Sequence, residues 1–237
     1  MKRGIIGVLG GMGPDATAAF FSMLVRLDAA PTDQDHLQII VDSNTSIPDR
    51  TAHLLGSGAD PLPEMLASAR RLSVAGADVA GMPCMTAHAF LPLLRRHTTL
   101  TILSAFEETR AALDGFSAPV RKLGILGTIG TKRTRLFETF IPNREILWPR
   151  EEIHRAKVME AIYGKHGIKA GNLGSEPHEL LMEAATALIA AGAEAIVGGC
   201  TEVPLALSQR DFDIPFIDPM EFLARALIAA ARGINKE

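Results

Sequence analysis

The stretches AGADVAGMPC (75–84) and AGAEAIVGGC (191–200) end in the only two cysteines of this 237-residue chain. Each stretch begins with Ala-Gly-Ala, passes through one acidic residue and an apolar run, and is soon followed by a threonine, Thr86 or Thr201. Short apolar runs bounded by glycine or proline are typical of buried strands. The repeat therefore predicts two related halves, each carrying one thiol at the end of a strand.

A second pair of motifs supports the duplication. The motif IGVLGG (6–11) recurs as LGILGT (123–128) at an offset of 117 residues, and the two cysteines are 116 residues apart. Self-similarity at one offset in two separate motifs indicates an internal repeat.

Strand-like runs alternate with helix-like segments along the whole chain. The predicted strands cover residues 4–10, 37–44, 78–84, 101–106, 123–128 and 214–218. The predicted helices cover residues 15–30, 64–75, 134–141 and 179–191. This alternation predicts an α/β fold of two pseudo-symmetric lobes, each a mostly parallel sheet flanked by helices.

The two lobes are predicted to share one active site. We expect an N-terminal lobe over residues 1–115, joined by a C-terminal helix over 219–237, and a second lobe over 116–218. Ligands of parallel α/β sheets bind at the carboxyl ends of the strands, where both cysteines fall. The active site is therefore expected in the cleft between the lobes.

Composition and charge exclude several function classes. Hydrophobic residues make up 47% of the chain, the net charge is −3, and the basic residues are dispersed, so nucleic acid is not expected as a partner. No apolar stretch approaches the ~20 residues that span a bilayer, so no membrane association is expected. The N-terminal residues lack a signal-peptide pattern, which favours a cytoplasmic protein with both thiols reduced.

Two opposed thiols suit a reaction that removes a proton from one face of a carbon and returns one to the other face. Inversion of an amino-acid α-carbon is such a reaction, with one cysteine starting as thiolate and the other as thiol. The pKa of a thiol, ordinarily near ~8.5, can fall at a helix N-terminus, and both cysteines precede predicted helices. Backbone amides and the hydroxyls of Thr86, Thr128 and Thr201 are candidates to hold the α-carboxylate.

No cofactor is predicted for this chemistry. No lysine shows a recognisable signature for a pyridoxal phosphate Schiff base, and the spacing of cysteines and histidines does not suggest a metal site.

Six motifs carry a family resemblance over nearly the whole chain. They are GGMGPDAT (10–17), IPDRT (47–51), MPCMTAH (82–88), LGT (126–128), IKAG (168–171) and GGCTEVP (198–204). Together they resemble the aspartate/glutamate racemase superfamily, and most of all its aspartate racemase branch. The resemblance implies a cofactor-independent amino-acid racemase that acts on aspartate or glutamate, with one catalytic cysteine in each lobe. Its partners would be a small-molecule substrate, an amino acid or dicarboxylate, and a second copy of the chain in a homodimer.

The resemblance also implies roles for individual residues. Cys84 and Cys200 would be the catalytic pair. The residues implied to contact substrate are Met12 and Gly13, which would line the cleft, Thr86 and Thr201 at the α-carboxylate, and Arg50 and Lys169 at an acidic side chain. A cation that faces a carboxylate gives orientation as well as attraction.

The neighbours of the two cysteines differ from each other. The usual Cys-Asn-Thr of the family reads Cys84-Met85-Thr86 here, which removes a hydrogen-bonding amide and could weaken catalysis or shape a different substrate pocket. Glu202 could orient Cys200, receive a substrate ammonium or cap a helix. His88 lies four residues after Cys84, and a packing or capping role is predicted for it.

Three alternatives stay open at this point. Gly11-Met12-Gly13-Pro14-Asp15-Ala16 satisfies the dinucleotide fingerprint, but the acidic residue expected after strand two is misplaced and the repeated cysteines go unexplained. A diacid isomerase or decarboxylase of the same superfamily could use the same lobes. A binding protein that lost turnover through Met85 is the third alternative.

Overall fold

Two four-stranded parallel sheets form the framework of the described part of the chain, residues 3–233 of the computed structural model. The strands of the first sheet are β1 (Ile6–Gly10), β2 (Ile39–Ser43), β3 (Val79–Gly81) and β4 (Thr101–Ile102), in the order β2-β1-β3-β4. Those of the second are β5 (Lys122–Leu126), β6 (Glu145–Leu147), β7 (Ala195–Gly198) and β8 (Phe216–Ile217), in the order β6-β5-β7-β8. The shared strand order confirms the predicted pair of related α/β halves.

Helices connect the strands of both sheets, as parallel pairing requires. Those of the first half are α1 (Pro14–Asp28), α2 (Arg50–Leu54), α3 (Leu62–Val74), α4 (Leu91–His97) and α5 (Ala105–Asp114). Those that follow are α6 (Ile129–Arg133), α7 (Leu136–Phe140), α8 (Glu151–Ile153), α9 (Glu160–Tyr163), α10 (Ser175–Ala190), α11 (Val203–Ala206) and α12 (Pro219–Ala231). A π-helical segment, His154–Met159, joins α8 to α9.

The chain divides into two compact units. The first runs to Glu108 and resumes at Met220, and the second is Thr109–Pro219. Helix α12 belongs to the first unit, where Leu223 and Leu227 press so closely on Gly81 of β3 that a Cβ there would lie 2.8 Å from the Leu227 side chain. The helix end is also held by Arg232, whose guanidinium contacts the Asp28 carboxylate.

The carboxyl ends of the strands open into short, tightly built loops. Gly11, directly after β1, has φ +85°, and a Cβ at this position would lie 2.3 Å from the Asn44 main chain after β2. Only glycine combines this conformation with so close an approach. The loops that follow β1 and β2 are thereby drawn together at the edge where Cys84 also lies.

Two local features differ from the sequence predictions, and a third prediction lies partly outside the described residues. Strand β4 ends at Ile102 instead of residue 106, because the Ser104 hydroxyl accepts the Glu107 amide at 3.3 Å and begins α5. Strand β6 was not predicted, since three residues at a sheet edge carry little periodic signal. Residues 234–237 of the predicted C-terminal helix lie outside the described residues.

None of the helices within residues 3–233 is long and apolar enough to cross a membrane.

Candidate active site

Cys84 lies in a tight turn at the end of β3. Its amide donates to the Met82 carbonyl at 2.8 Å, and a 3-10 helix, Thr86–Phe90, follows directly. The side chain is 6% exposed and packs in the same apolar cluster as Met12 and Ile47, which follow β1 and β2. The fold therefore gathers the ends of three parallel strands around this thiol.

His88 is completely buried beside Cys84. Its Nδ1 lies 2.9 Å from the Cys84 carbonyl oxygen, and its Nε2 lies 3.0 Å from the Ala105 amide nitrogen. Because the amide must donate, Nε2 is the unprotonated nitrogen, and Nδ1 carries the hydrogen that Cys84 accepts. Burial lowers the pKa of His88 to about 4, so the ring is neutral at pH 7.

This buried histidine predicts a loss of stability in mild acid. Unfolded histidine has a pKa of 6.5, so as the pH falls from 6.5 towards 4 the unfolded chain gains a proton that folded His88 does not. The free energy of unfolding should fall by up to about 3 kcal/mol over that window. Two charged groups affect the pKa of His88 in opposite directions: Arg95 on α4 lowers it and Glu107 on α5 raises it.

Urea unfolding at several pH values checks this expectation. The variant His88→Gln carries no titrating ring, so its unfolding free energy should depend less on pH between 6.5 and 4 than that of the wild type. Identical pH slopes for the two proteins would show that His88 is not the group responsible.

The loop after β1 contains Met12 and Gly13 and is tied to Arg50. The Arg50 guanidinium is buried and donates to the carbonyl oxygens of Met12 at 2.7 Å, Pro48 at 3.0 Å and Ile47 at 3.3 Å. Gly13 caps the N-terminus of α1. Arg50 thus stabilises the main chain of this loop, a role that its position in the motif IPDRT did not reveal.

Cys200 lies at the end of β7, in the position that Cys84 has after β3. Gly199 precedes it and packs against Gly127 after β5, where an added Cβ would lie 2.9 Å from the Gly199 carbonyl oxygen. Thr128 follows Gly127 and caps α6 by accepting the Thr131 amide at 3.3 Å. The close passage of these two loops brings Thr128 and Cys200 to the same sheet edge.

Glu202 connects Cys200 to a lysine. The Cys200 thiol donates to Glu202 Oε2 at 2.8 Å, the Thr201 hydroxyl donates to the same oxygen at 3.2 Å, and Lys169 Nζ donates to Oε1 at 2.5 Å. Glu202 is 3% exposed. The second unit therefore brings together four of the residues that the sequence singled out: Lys169, Cys200, Thr201 and Glu202.

This environment holds Cys200 in its thiol form. Burial raises the pKa of Cys200 well above its usual value, the Glu202 carboxylate raises it further, and Lys169 partly offsets that effect. The direction is opposite to the lowering expected from a helix N-terminus, because a short helix end contributes less than desolvation and an adjacent carboxylate.

A second buried histidine, His154, was missed by the sequence predictions. Its Nε2 lies 2.8 Å from the Gly127 carbonyl oxygen, and it begins the π-helical segment. Burial lowers the pKa of His154, which keeps the ring neutral. No spacing relative to a cysteine marks this residue in the sequence, so only the fold reveals its contact with the loop after β5.

The turn after Cys84 carries Met85 and Thr86, and both side chains are buried. Met85 is 1% exposed, so an apolar side chain occupies the interior where the family usually has an amide.

We expect Met85→Asn to lower the free energy of unfolding by roughly 1–3 kcal/mol, since a buried amide without partners is costly. Met85→Leu, of similar volume, is the control for urea unfolding, and equal stability of the two variants would contradict this interpretation.

Metal-ligating side chains do not cluster within the part of the chain that the structure describes. No group of three or more His, Cys, Asp or Glu residues among residues 3–233 could hold an ion.

The structure therefore has two buried thiols at equivalent strand ends, each with its own hydrogen-bonding surroundings. The sequence profile of the Asp/Glu/Hydantoin racemase family matches residues 9–227. The chain belongs to this family and is an isomerase of the amino-acid racemase class.

Individual relatives match over most of their length. The broad specificity amino-acid racemase RacX of Bacillus subtilis (strain 168) is 24% identical over 232 residues, which cover 95% of this chain and 97% of that protein. The aspartate racemase of Picrophilus torridus has a similar structure, with a TM-score of 0.82 and 26% identity over 96% of this chain and 94% of that one. A glutamate racemase of Francisella tularensis subsp. tularensis SCHU S4, in complex with D-glutamate, shares the fold, with a TM-score of 0.67, 16% identity, and coverage of 97% and 81%.

Proposed function

We propose that this racemase inverts the α-carbon of an acidic amino acid, aspartate or glutamate, without a cofactor, and that Cys84 and Cys200 act on opposite faces of that carbon. The observation that carries the proposal is the difference between the two thiols. Cys200 donates a hydrogen bond to Glu202 and is held protonated, whereas no carboxylate hydrogen bond of this kind is seen at Cys84 within residues 3–233. One proton donor and one proton acceptor are what a two-base inversion needs.

The reaction proceeds in two proton transfers. The Cys84 thiolate takes the α-hydrogen as a proton, so that an S–H bond forms and the Cα–H bond breaks with its electron pair left on carbon. Cys200 then gives its proton to the opposite face of the carbanion and becomes a thiolate. The reverse reaction exchanges the roles of the two cysteines. After Cys200 has given up its proton, the Lys169 ammonium offsets the negative charges of the Cys200 thiolate and the Glu202 carboxylate.

The α-hydrogen is very weakly acidic, so the charge that develops on the substrate must be stabilised. Thr86, Thr128 and Thr201 lie at the carboxyl ends of the strands, and the hydroxyls of Thr86 and Thr128 are candidate donors to the α-carboxylate. The Thr201 hydroxyl donates to Glu202, so it would have to turn away from that carboxylate to bind the substrate. Met12 and Gly13, in the loop after β1, are proposed to line the substrate site on the side of the first unit.

The preference for an acidic substrate rests on charge and on relatives. Lys169 is a cation at the Cys200 side, and its side chain keeps 21% of its surface exposed, so a substrate carboxylate can approach it. Arg50 contributes to the proposed substrate site indirectly, because its guanidinium holds the loop after β1 through the Met12 carbonyl. A relative of similar structure is an aspartate racemase, and another relative is a broad specificity racemase.

A chiral screen of the common amino acids tests this function. Aspartate or glutamate should be racemised faster than neutral amino acids, with no added cofactor. Faster turnover of neutral amino acids would contradict the acidic preference. Isomerisation of maleate, with no racemisation of any amino acid, would assign the chain to the diacid isomerases instead.

The assembly and location of the protein are part of the same proposal. Resemblance to the racemases implies a homodimer, and a cytoplasmic location would keep both thiols reduced, as proton transfer by Cys84 and Cys200 requires. Light scattering of the purified protein tests the dimer, because a mass close to that of the single 25.4 kDa chain would contradict it.

A further inference from the structure

His88 has no part in the proton transfers proposed above, yet it contacts the main chain of one of the two cysteines. Its ring is completely buried in the first unit, between the turn after β3 and the start of α5. Phe106 packs edge-on against it, with the ring centroids 5.4 Å apart and the planes at 77°. This packing leaves the imidazole little freedom to rotate.

The two ring nitrogens make different contacts. Nε2 accepts the Ala105 amide at 3.0 Å, which fixes the hydrogen on Nδ1, and Nδ1 donates to the Cys84 carbonyl at 2.9 Å. The hydrogen bond at one nitrogen therefore sets the ability of the other to donate. The Cys84 amide donates to Met82 at 2.8 Å, so the residue is held on both sides of its main chain.

We propose that His88 is the positioning residue of Cys84: it holds the Cys84 main chain against the N-terminus of α5, so that the thiol keeps the orientation that proton transfer requires. This inference rests on the proposed role of Cys84 as an acid–base group. Cys200 is positioned differently, through its own side chain and the Glu202 carboxylate. The two thiols are thus oriented by unlike means.

Two substitutions separate the two hydrogen bonds of His88. In His88→Asn the side-chain amide lies near the former Nδ1 and can still donate to Cys84. In His88→Gln the longer side chain reaches the former Nε2 position and can still accept from Ala105, but the hydrogen bond to Cys84 is lost. Misplacement of a reacting group by about 1 Å can cost roughly 100-fold in rate.

The kinetic test compares these variants. We expect kcat to fall about 100-fold in His88→Gln and only severalfold in His88→Asn, with KM changed less than kcat in both. A purely structural role predicts losses of kcat that do not depend on which of the two hydrogen bonds is kept. Equal losses of kcat would therefore overturn the proposal.

A chemical test follows the thiol itself. In a Cys200→Ser background, the pH profile of Cys84 alkylation by iodoacetamide should change in His88→Gln and be largely restored in His88→Asn. Cys200 alkylation, measured in a Cys84→Ser background, should be the same with either substitution. No change of the Cys84 profile would contradict the proposal, even if activity fell.

The wild-type protein gives an independent measurement if a variant does not fold. Nitrogen-15 NMR of the histidines should show His88 neutral at pH 7 with its hydrogen on Nδ1, and a hydrogen on Nε2 would overturn the proposal. These outcomes are separable from failure of the proposed function. Racemisation that survives in Cys84→Ser would refute the role of Cys84, whereas the alkylation and NMR results would still report how its main chain is held.

Discussion

Replacement of either cysteine by serine is expected to lower kcat/KM for racemisation by roughly 10²–10⁴-fold, because the proposed mechanism assigns one of the two proton transfers to each thiol. Serine has nearly the size of cysteine, but its hydroxyl is far too weak an acid to alternate between the two forms. Both cysteines are 6% exposed, so the substitutions change little surface and the fold should persist. Circular dichroism controls for folding, and a chiral assay measures the rate.

The two serine variants should also differ from each other. Cys200→Ser retains Cys84 as a base, so in deuterium oxide it should still exchange the α-hydrogen of one enantiomer without inverting it. Cys84→Ser should exchange the other enantiomer more slowly, because the raised pKa of Cys200 leaves little of it as the thiolate that takes a proton. Racemisation at the wild-type rate in both single variants would refute the two-thiol mechanism.

Substitution of Glu202 by glutamine is expected to change both the reactivity of Cys200 and the stability of the second unit. The carboxylate raises the pKa of Cys200, so Glu202→Gln should lower that pKa and make Cys200 react severalfold faster with iodoacetamide near pH 8. The substitution also removes the buried charge that pairs with Lys169, which should lower the free energy of unfolding by roughly 2–3 kcal/mol. This loss is small for a buried ion pair because the Lys169 side chain is partly exposed to solvent. Racemisation should fall, since Cys200 is no longer held as the proton donor.

An exposed ion pair in the same unit provides the matched control. Lys157 and Glu183 are 2.6 Å apart, and the Glu183 side chain is 59% exposed. Exposed pairs contribute little, so Glu183→Gln should change stability by less than about 1 kcal/mol and leave Cys200 reactivity unaltered. Equal effects of the two substitutions would contradict the specific role of Glu202.

The sequence predicts the framework well because its signals are periodic and repeated. Alternating strand-like and helix-like segments indicate a parallel α/β fold, and the duplicated Ala-Gly-Ala stretches place Cys84 and Cys200 at equivalent strand ends. Both signals depend on neighbours along the chain. The confirmed parts of the prediction are therefore the fold class and the family.

The contacts that set the surroundings of the two cysteines join residues that are far apart in the sequence. Lys169 and Glu202 are 33 residues apart, and Arg50 reaches back 38 residues to the Met12 carbonyl. Such pairings arise when strand ends pack together, and no local pattern encodes them. The same holds for the contact of His154 with Gly127, whereas the spacing of His88 from Cys84 hinted at proximity but not at which atoms meet.

The central claim, that two different thiols act on one α-carbon, is tested most directly by racemisation of the preferred L-amino acid in deuterium oxide at low conversion. Two bases predict that the D-product carries solvent deuterium at the α-position while the recovered L-substrate carries almost none. Equal deuterium in product and recovered substrate would mean that one base serves both faces, and it would contradict the account.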